Sequence, residues 1–80
     1  MNDSTKEMPI YGQEEIEMRN TMLEICEALR EKKYNPISQI VGYILTEDPT
    51  YITTHGGARN KVRKIDRDEL LSALVRNYLE

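Results

Sequence analysis

The stretch YNPISQIVGYILTEDPTYI, residues 34–52, decides the fold. Its Asn35-Pro36 pair is typical of a helix start, because an Asn side chain caps free backbone N–H groups and proline fits the first helical position. The apolar residues that follow recur at i, i+3, i+4, i+7 and i+8, which is one face of an α-helix. They are Ile37, Ile40, Val41, Ile44 and Leu45. We therefore expect an amphipathic helix whose apolar face lies in the core.

A second start of the same kind follows at Asp48-Pro49 and predicts a short turn of helix. The sequence TTHGG, residues 53–57, then breaks the chain, because its two glycines favour a turn over a continuing helix. A further helix is expected to begin near residue 58.

Amphipathic helices are expected on both sides of this stretch. Upstream, from about residue 13 to residue 33, apolar residues form one stripe: Met18, Met22, Ile25, Cys26 and Leu29. Downstream, Asp66 and Glu69 form a signal like a capping box in front of a last helix. Its apolar positions are Leu70, Leu71, Leu74, Val75, Tyr78 and Leu79. Residues 58–79 fit either one bent helix or two.

The expected fold is all-α, a compact bundle of four to five short helices, because no segment alternates at period two. Residues 13–80 would form a single helical domain, with the last helix supplying much of the packing. Residues 1–12 show no period and are interpreted as a flexible acidic arm. A chain of this size buries only about 60% of its unfolded surface, so we expect its stability to come from a homodimer.

The charge is distributed unevenly along the chain. The formal net charge of the 80 residues is −3. Residues 1–17 hold five acids and one base, a balance of −4, whereas residues 54–67 hold five bases and one acid, a balance of +4. The arm and the basic segment could therefore attract each other or an outside partner.

Catalytic and metal chemistry find little support in this composition. One cysteine and one histidine, Cys26 and His55, exclude an internal disulfide and are too few for a structural zinc site. Cys26 lies in an apolar stripe, which favours a buried structural thiol over a nucleophile. We expect a non-enzymatic protein without metal or cofactor. The sequence shows no apolar run of roughly 18 residues and no export signal, so a cytoplasmic protein without membrane insertion is expected.

The basic segment predicts a binding surface. Arg59, Arg63 and Arg67 are four residues apart and would share one ridge on a continuous helix. Lys64 lies beside this ridge, and His55 precedes it by another four residues. Guanidinium groups bind carboxylates and phosphates in bidentate fashion, so the ridge would suit an acidic partner.

Two other interpretations of the basic segment stay open at this point. It could be a solvated face whose arginines pair internally with acids such as Asp66 or Glu69. It could also belong to a small helix-turn-helix-like DNA-binding regulator. The negative net charge and the scarcity of base-reading residues, with Asn60 the main candidate, argue against nucleic acid.

The arm offers two candidate phosphorylation sites, Ser4 and Thr5. Kinases act on extended segments, and a phosphate adds about −1.5 to −2 charges. A phosphorylated arm could therefore dock on the arginine ridge or compete there with an acidic partner.

Two long segments carry a family resemblance: KYNPISQIVGYILTEDPTYI from residue 33, and ARNKVRKIDRDELL from residue 58. Through YNP, QIVGY, DP-x-YI, AR and RDE the chain resembles the IreB/ReoM family, small regulatory phosphoproteins of Gram-positive bacteria. The resemblance covers about residues 16–79. Arginines of that family match Arg59, Arg63 and Arg67, another basic position matches Lys64, and an aromatic or His position matches His55.

The resemblance implies a dimeric helical protein that a membrane Ser/Thr kinase with PASTA repeats phosphorylates on an N-terminal threonine, with a phosphatase as its counterpart. It also implies control of peptidoglycan synthesis. The route would be Clp-protease turnover of UDP-N-acetylglucosamine enolpyruvyl transferase, with Clp protease or that enzyme as the partner. Antibiotic tolerance, toward β-lactams, is the associated trait.

The arm departs most from the family pattern. Glu7 stands directly before Met8, where relatives usually have the acceptor threonine. Ser4 or Thr5 would then accept the phosphate, or the Glu7 carboxylate would partly imitate the phosphorylated form.

Overall fold

The computed structural model describes residues 12–80, which form four α-helices and two single turns of 3-10 helix, with no strand. The all-α prediction is therefore confirmed for this part of the chain, and residues 58–79 form two helices rather than one. The arm, with Ser4, Thr5 and Glu7, lies outside the described residues. The helices are α1 (Gln13–Glu31), α2 (Pro36–Thr46), α3 (Ala58–Arg63) and α4 (Arg67–Leu79), and the 3-10 turns are Pro49–Tyr51 and His55–Gly57.

The predicted helix starts form as the sequence indicates. Asn35 Oδ1 accepts a hydrogen bond from the backbone N–H of Ser38 at 3.1 Å and so caps α2. Asp48 caps the Pro49–Tyr51 turn through the backbone N–H of Thr50 at 3.0 Å. Asp66 caps α4 by accepting from the N–H groups of residues 68 and 69 at 2.9 and 3.3 Å. Each cap satisfies backbone donors that the first helical turn leaves free.

The core lies between α1, α2, α3 and the segment that joins α2 to α3. Ile25 and Leu29 of α1, Ile52 of the connecting segment and Val62 of α3 are the largest side chains that are fully buried. Ala28, Tyr43 and Ala58 complete the buried cluster. Cys26 is only half-buried at its edge, so the predicted buried thiol is partly exposed.

Helix α2 turns only one side of its apolar surface to this core. Ile40 and Ile44 pack against the cluster, but Ile37, Val41 and Leu45 are 70%, 46% and 77% exposed. The prediction that the whole 37–45 face lies in the core is therefore wrong within one chain. The reason is that the apolar surface of α2 is wider than its neighbours can cover, and Tyr43 takes the most buried position.

Helix α4 contributes little to the core. It buries Leu70 and Ala73, but four of its apolar residues are exposed: Leu74, Val75, Tyr78 and Leu79. An ion pair between Arg76 and Glu15 joins α4 to the first turn of α1. The prediction that the last helix supplies much of the packing is thus wrong for the single chain.

Candidate functional site: a basic surface around α3

The basic surface is formed by five predicted residues that the structure places on three elements. His55 begins the His55–Gly57 turn, Arg59 and Arg63 lie four residues apart on α3, Lys64 follows α3 directly, and Arg67 is the first residue of α4. Because α3 ends at residue 63, the predicted single ridge of three arginines does not form. The surface is a corner between two helices.

Local backbone chemistry explains how α3 is placed. Gly56 and Gly57 both adopt positive φ, at 63° and 73°, which glycine reaches without a Cβ clash. The chain therefore turns sharply back toward α1, where Ala58 and Val62 enter the core. Arg59 and Arg63 follow these buried residues by one position each, so the pair shares the neighbouring face of α3.

Arg59 is tied to the backbone of the segment before it. Its Nε–H donates to the carbonyl oxygen of Ile52 at 2.9 Å, and the side chain is half-buried. Ile52 is itself fully buried, so this bond fixes the exit of the 49–51 turn against the core. Arg59 is a structural arginine as well as part of the basic surface.

Arg67 is tied to the end of α2. One guanidinium nitrogen, Nη1, donates to the carbonyl oxygen of Ile44 at 2.7 Å, and Nη2 pairs with Glu47 Oε2 at 2.6 Å. A cation bonded to a free carbonyl at a helix C-terminus is favourable, because that end of the helix is partly negative. Arg67 therefore joins α2 to α4.

Arg63 and Lys64 differ from these two arginines. Both are exposed, and neither side chain makes a hydrogen bond or ion pair with another residue of the described chain. The alternative of pairs with Asp66 or Glu69 is not realised by Arg63, Lys64 or Arg67, since Arg67 pairs with Glu47. The open cations of the surface are adjacent in sequence at the end of α3.

His55 is paired rather than open. Its Nε2 lies 2.7 Å from Glu31 Oε1 at the end of α1, and both side chains are exposed. On α3 itself, Lys61 pairs with Glu24 of α1 at 3.1 Å. At one edge of the surface, the cations are therefore paired with carboxylates of the same chain. Sequence spacing could not reveal these pairs, because each one joins two different elements.

Asp48 is an exposed residue at the start of the Pro49–Tyr51 turn, and its carboxyl has a lowered pKa. The Thr50 hydroxyl donates to Asp48 Oδ1 at 2.7 Å and the Thr50 backbone N–H at 3.0 Å. These two hydrogen bonds, with a smaller contribution from the charge of Arg59, lower the pKa of the Asp48 carboxyl. The ionised carboxylate is therefore part of the folded turn.

This shift predicts a stability loss in acid. A carboxyl whose pKa is lower in the folded state stabilises that state above the unfolded pKa, about 3.9, and loses the contribution as pH falls through the folded pKa. We expect thermal melts between about pH 5 and pH 2 to show a shallower decline for Asp48→Asn than for the native chain. Thr50→Val, which removes only the hydroxyl donor, should give an intermediate decline. Identical slopes for all three proteins would contradict the role given to Asp48.

Within residues 12–80, the other kinds of site to consider are a metal centre, a membrane span and a ligand groove. No group of three His, Cys, Asp or Glu residues there could hold a metal ion. None of the helices in that range combines the length and apolar character needed to cross a bilayer. An open groove does run between the start of α1 and α4; four carboxylates are among its lining residues, and its one arginine, Arg76, is already paired to Glu15.

The chain has recognisable relatives among known proteins. A family model described as IreB regulatory phosphoprotein matches residues 3–80. The chain belongs to the IreB family. A relative, the UPF0297 protein of Acetivibrio thermocellus, is 49% identical over 79 residues, covering 99% of this chain and 88% of its own length. The resemblance stated from the sequence is confirmed, and neither comparison supports the DNA-binding alternative.

Proposed function

We propose that this IreB-family protein is a non-enzymatic regulator that binds an acidic surface of a partner protein through its basic surface. The observation that carries the proposal is the pair of exposed cations, Arg63 and Lys64, which have no partner among the described residues. They are three to five residues in sequence from Arg59 and Arg67, whose guanidinium groups are already fixed on main-chain carbonyls. A cation held in place loses less side-chain entropy when it binds an anion, so the corner is preorganised for a carboxylate or phosphate.

The arm supplies the regulation in this proposal. It joins the described chain at residue 12, and phosphorylation of Ser4 or Thr5 would add about −1.5 to −2 charges. A phosphorylated arm then competes with the acidic partner for the basic surface. Intact-mass spectrometry after incubation with the cognate kinase, with fragmentation of residues 1–12, should place the phosphate on one of these two hydroxyls. An unmodified mass would remove phosphorylation of the arm from the mechanism.

The cellular role proposed is control of peptidoglycan synthesis in the cytoplasm. The kinase would be a membrane Ser/Thr kinase with PASTA repeats, opposed by its phosphatase. The partner would be Clp protease or its substrate UDP-N-acetylglucosamine enolpyruvyl transferase, whose turnover the regulator adjusts, with antibiotic tolerance as the outcome. These assignments rest on the family resemblance together with the basic surface.

The working form proposed is a homodimer. Within one chain, Ile37, Val41 and Leu45 form an exposed ridge on α2, defined here as the α2 ridge. Helix α4 exposes a second apolar surface that includes Tyr78 and Leu79. Burial of such surfaces supplies the driving force for association, and a second copy of the chain would cover both.

The function is tested by removing the two open cations. We expect Arg63→Ala with Lys64→Ala to weaken partner binding by about tenfold or more, because each charge-assisted hydrogen bond contributes about 1.5–3 kcal/mol. Helicity and thermal midpoint should stay unchanged, since both side chains are exposed and neither makes a hydrogen bond or ion pair within the described residues. The readout is Clp-dependent turnover of the transferase in cells that carry the variant as their only copy.

A matched control removes two cations elsewhere. Arg19 is exposed on α1 and Lys32 is exposed directly after it, and neither belongs to the basic surface, so Arg19→Ala with Lys32→Ala changes the net charge equally. Normal turnover in the Arg63/Lys64 variant, or equal loss in both variants, would contradict the proposed site. Alanine at Arg59 or Arg67 is a poorer test, because it also removes a bond to a main-chain carbonyl.

A further inference from the structure

Glu47, a residue of the same chain, binds one of the arginines of the basic surface. Its Oε2 lies 2.6 Å from Nη2 of Arg67, so the guanidinium already holds a carboxylate. The two partners are exposed to different degrees, 65% for the Glu47 side chain and 32% for Arg67. The acid is therefore the partner that an incoming ligand can reach and move.

Arg67 keeps its place without Glu47. Its Nη1 donates to the carbonyl oxygen of Ile44 at 2.7 Å in a half-buried setting, on a different nitrogen from the one that holds the carboxylate. Departure of the Glu47 side chain would leave Nη2 facing outward on a guanidinium that is still fixed. The guanidinium would therefore keep its position and offer Nη2 to a new ligand.

The backbone of the turn does not require a glutamate at this position. Glu47 ends α2 in the left-handed conformation, with φ 60° and ψ 20°, and its N–H donates to the carbonyl oxygen of Tyr43 at 2.7 Å. Glycine or asparagine adopts this conformation at lower cost, and the capping bond uses only the backbone. The contribution specific to glutamate at this position is therefore its carboxylate on Arg67.

We propose that Glu47 is an internal competitor that sets the affinity of the basic surface for acidic ligands. This inference rests on the proposed function of that surface. A carboxylate of the partner replaces Glu47 on Nη2 of Arg67 while Arg63 and Lys64 bind its neighbours. Exposed ion pairs are weak, so the displacement is easy, and removing the competitor should tighten binding by about two- to fivefold.

The test measures binding of a fluorescein-labelled hexaglutamate peptide to the full chain by fluorescence anisotropy in about 50 mM salt, where charge interactions are weakly screened. We expect Glu47→Gln to bind the peptide about two- to fivefold more tightly than the native chain. Glu27→Gln is the matched control, since it neutralises the acid of another exposed ion pair, with Arg30 on α1, and changes net charge equally. It should change binding by less than about 1.5-fold.

Further variants separate this inference from the function on which it rests. In an Arg67→Ala background the effect of Glu47→Gln should vanish; if it persists, or if Glu27→Gln tightens binding equally, the internal competitor is contradicted. Weaker or unchanged binding by Glu47→Gln contradicts it as well, while loss of binding in the Arg63/Lys64 variant would still support the basic surface. Absence of binding to every variant at about 1 mM protein would overturn both proposals.

Discussion

Leu29→Ala is expected to lower the free energy of unfolding by about 2–5 kcal/mol, the range found when a buried leucine is truncated and leaves a cavity. Leu29 is fully buried on α1, inside the cluster formed with α2, α3 and Ile52. Small domains are stabilised by only about 5–15 kcal/mol, so this loss removes a large fraction of the total stability. Urea denaturation followed by circular dichroism measures the change.

A control for this prediction lies on the same helix. Leu23 is 53% exposed, so Leu23→Ala removes the same atoms from a position that faces solvent. We expect a loss of less than about 1 kcal/mol there, since exposed substitutions leave no cavity. Equal losses at both positions would show that α1 presents a different face to the core.

The parts of the fold that were predictable from the sequence are the local ones. Asn35, Asp48 and Asp66 are caps because their side chains reach backbone N–H groups two or three residues away, and such bonds depend on short-range spacing alone. The helices that begin at these caps were predictable for the same reason. The break at residues 55–57 was also predictable, because it rests on two adjacent glycines.

The side of α2 that enters the core was not predictable in the same way. Its apolar residues extend over about two-fifths of the helix circumference, from Ile40 through Ile37 to Leu45, so periodicity alone does not rank them. The choice depends on the shape that α1 and the 49–51 turn present. The close contact between α2 and this turn is seen at Gly42, since a Cβ there would lie 2.5 Å from the Tyr51 ring.

The residues of the basic surface were predictable, but which of them have internal partners was not. Spacing predicts one shared face for Arg59 and Arg63, and both lie on α3, four residues apart, with Lys64 directly after it. The residues of the surface differ in whether a group distant in sequence holds the side chain. The carbonyl of Ile52 holds Arg59, and the carboxylate of Glu47 pairs with Arg67. Glu47 precedes Arg67 by 20 residues, a separation at which no helical period links two positions.

The second large effect is expected at the α2 ridge. Val41→Glu would place a carboxylate at the centre of this ridge, between Ile37 and Leu45, and a charge buried without a partner costs several kcal/mol. We expect dimerisation to weaken by at least about a hundredfold. Because Val41 is 46% exposed in the single chain, the helical fold should persist.

Sedimentation velocity with circular dichroism on the same samples checks this expectation. The native chain should sediment at twice its 9.4 kDa mass and the variant at 9.4 kDa, both with full helicity. Asn20→Glu adds the same charge at an exposed position of α1 and should remain dimeric. A native chain of 9.4 kDa would contradict the homodimer. A dimeric Val41→Glu with a monomeric Tyr78→Glu would instead place the interface on α4, because Tyr78 is the most exposed apolar residue of that helix.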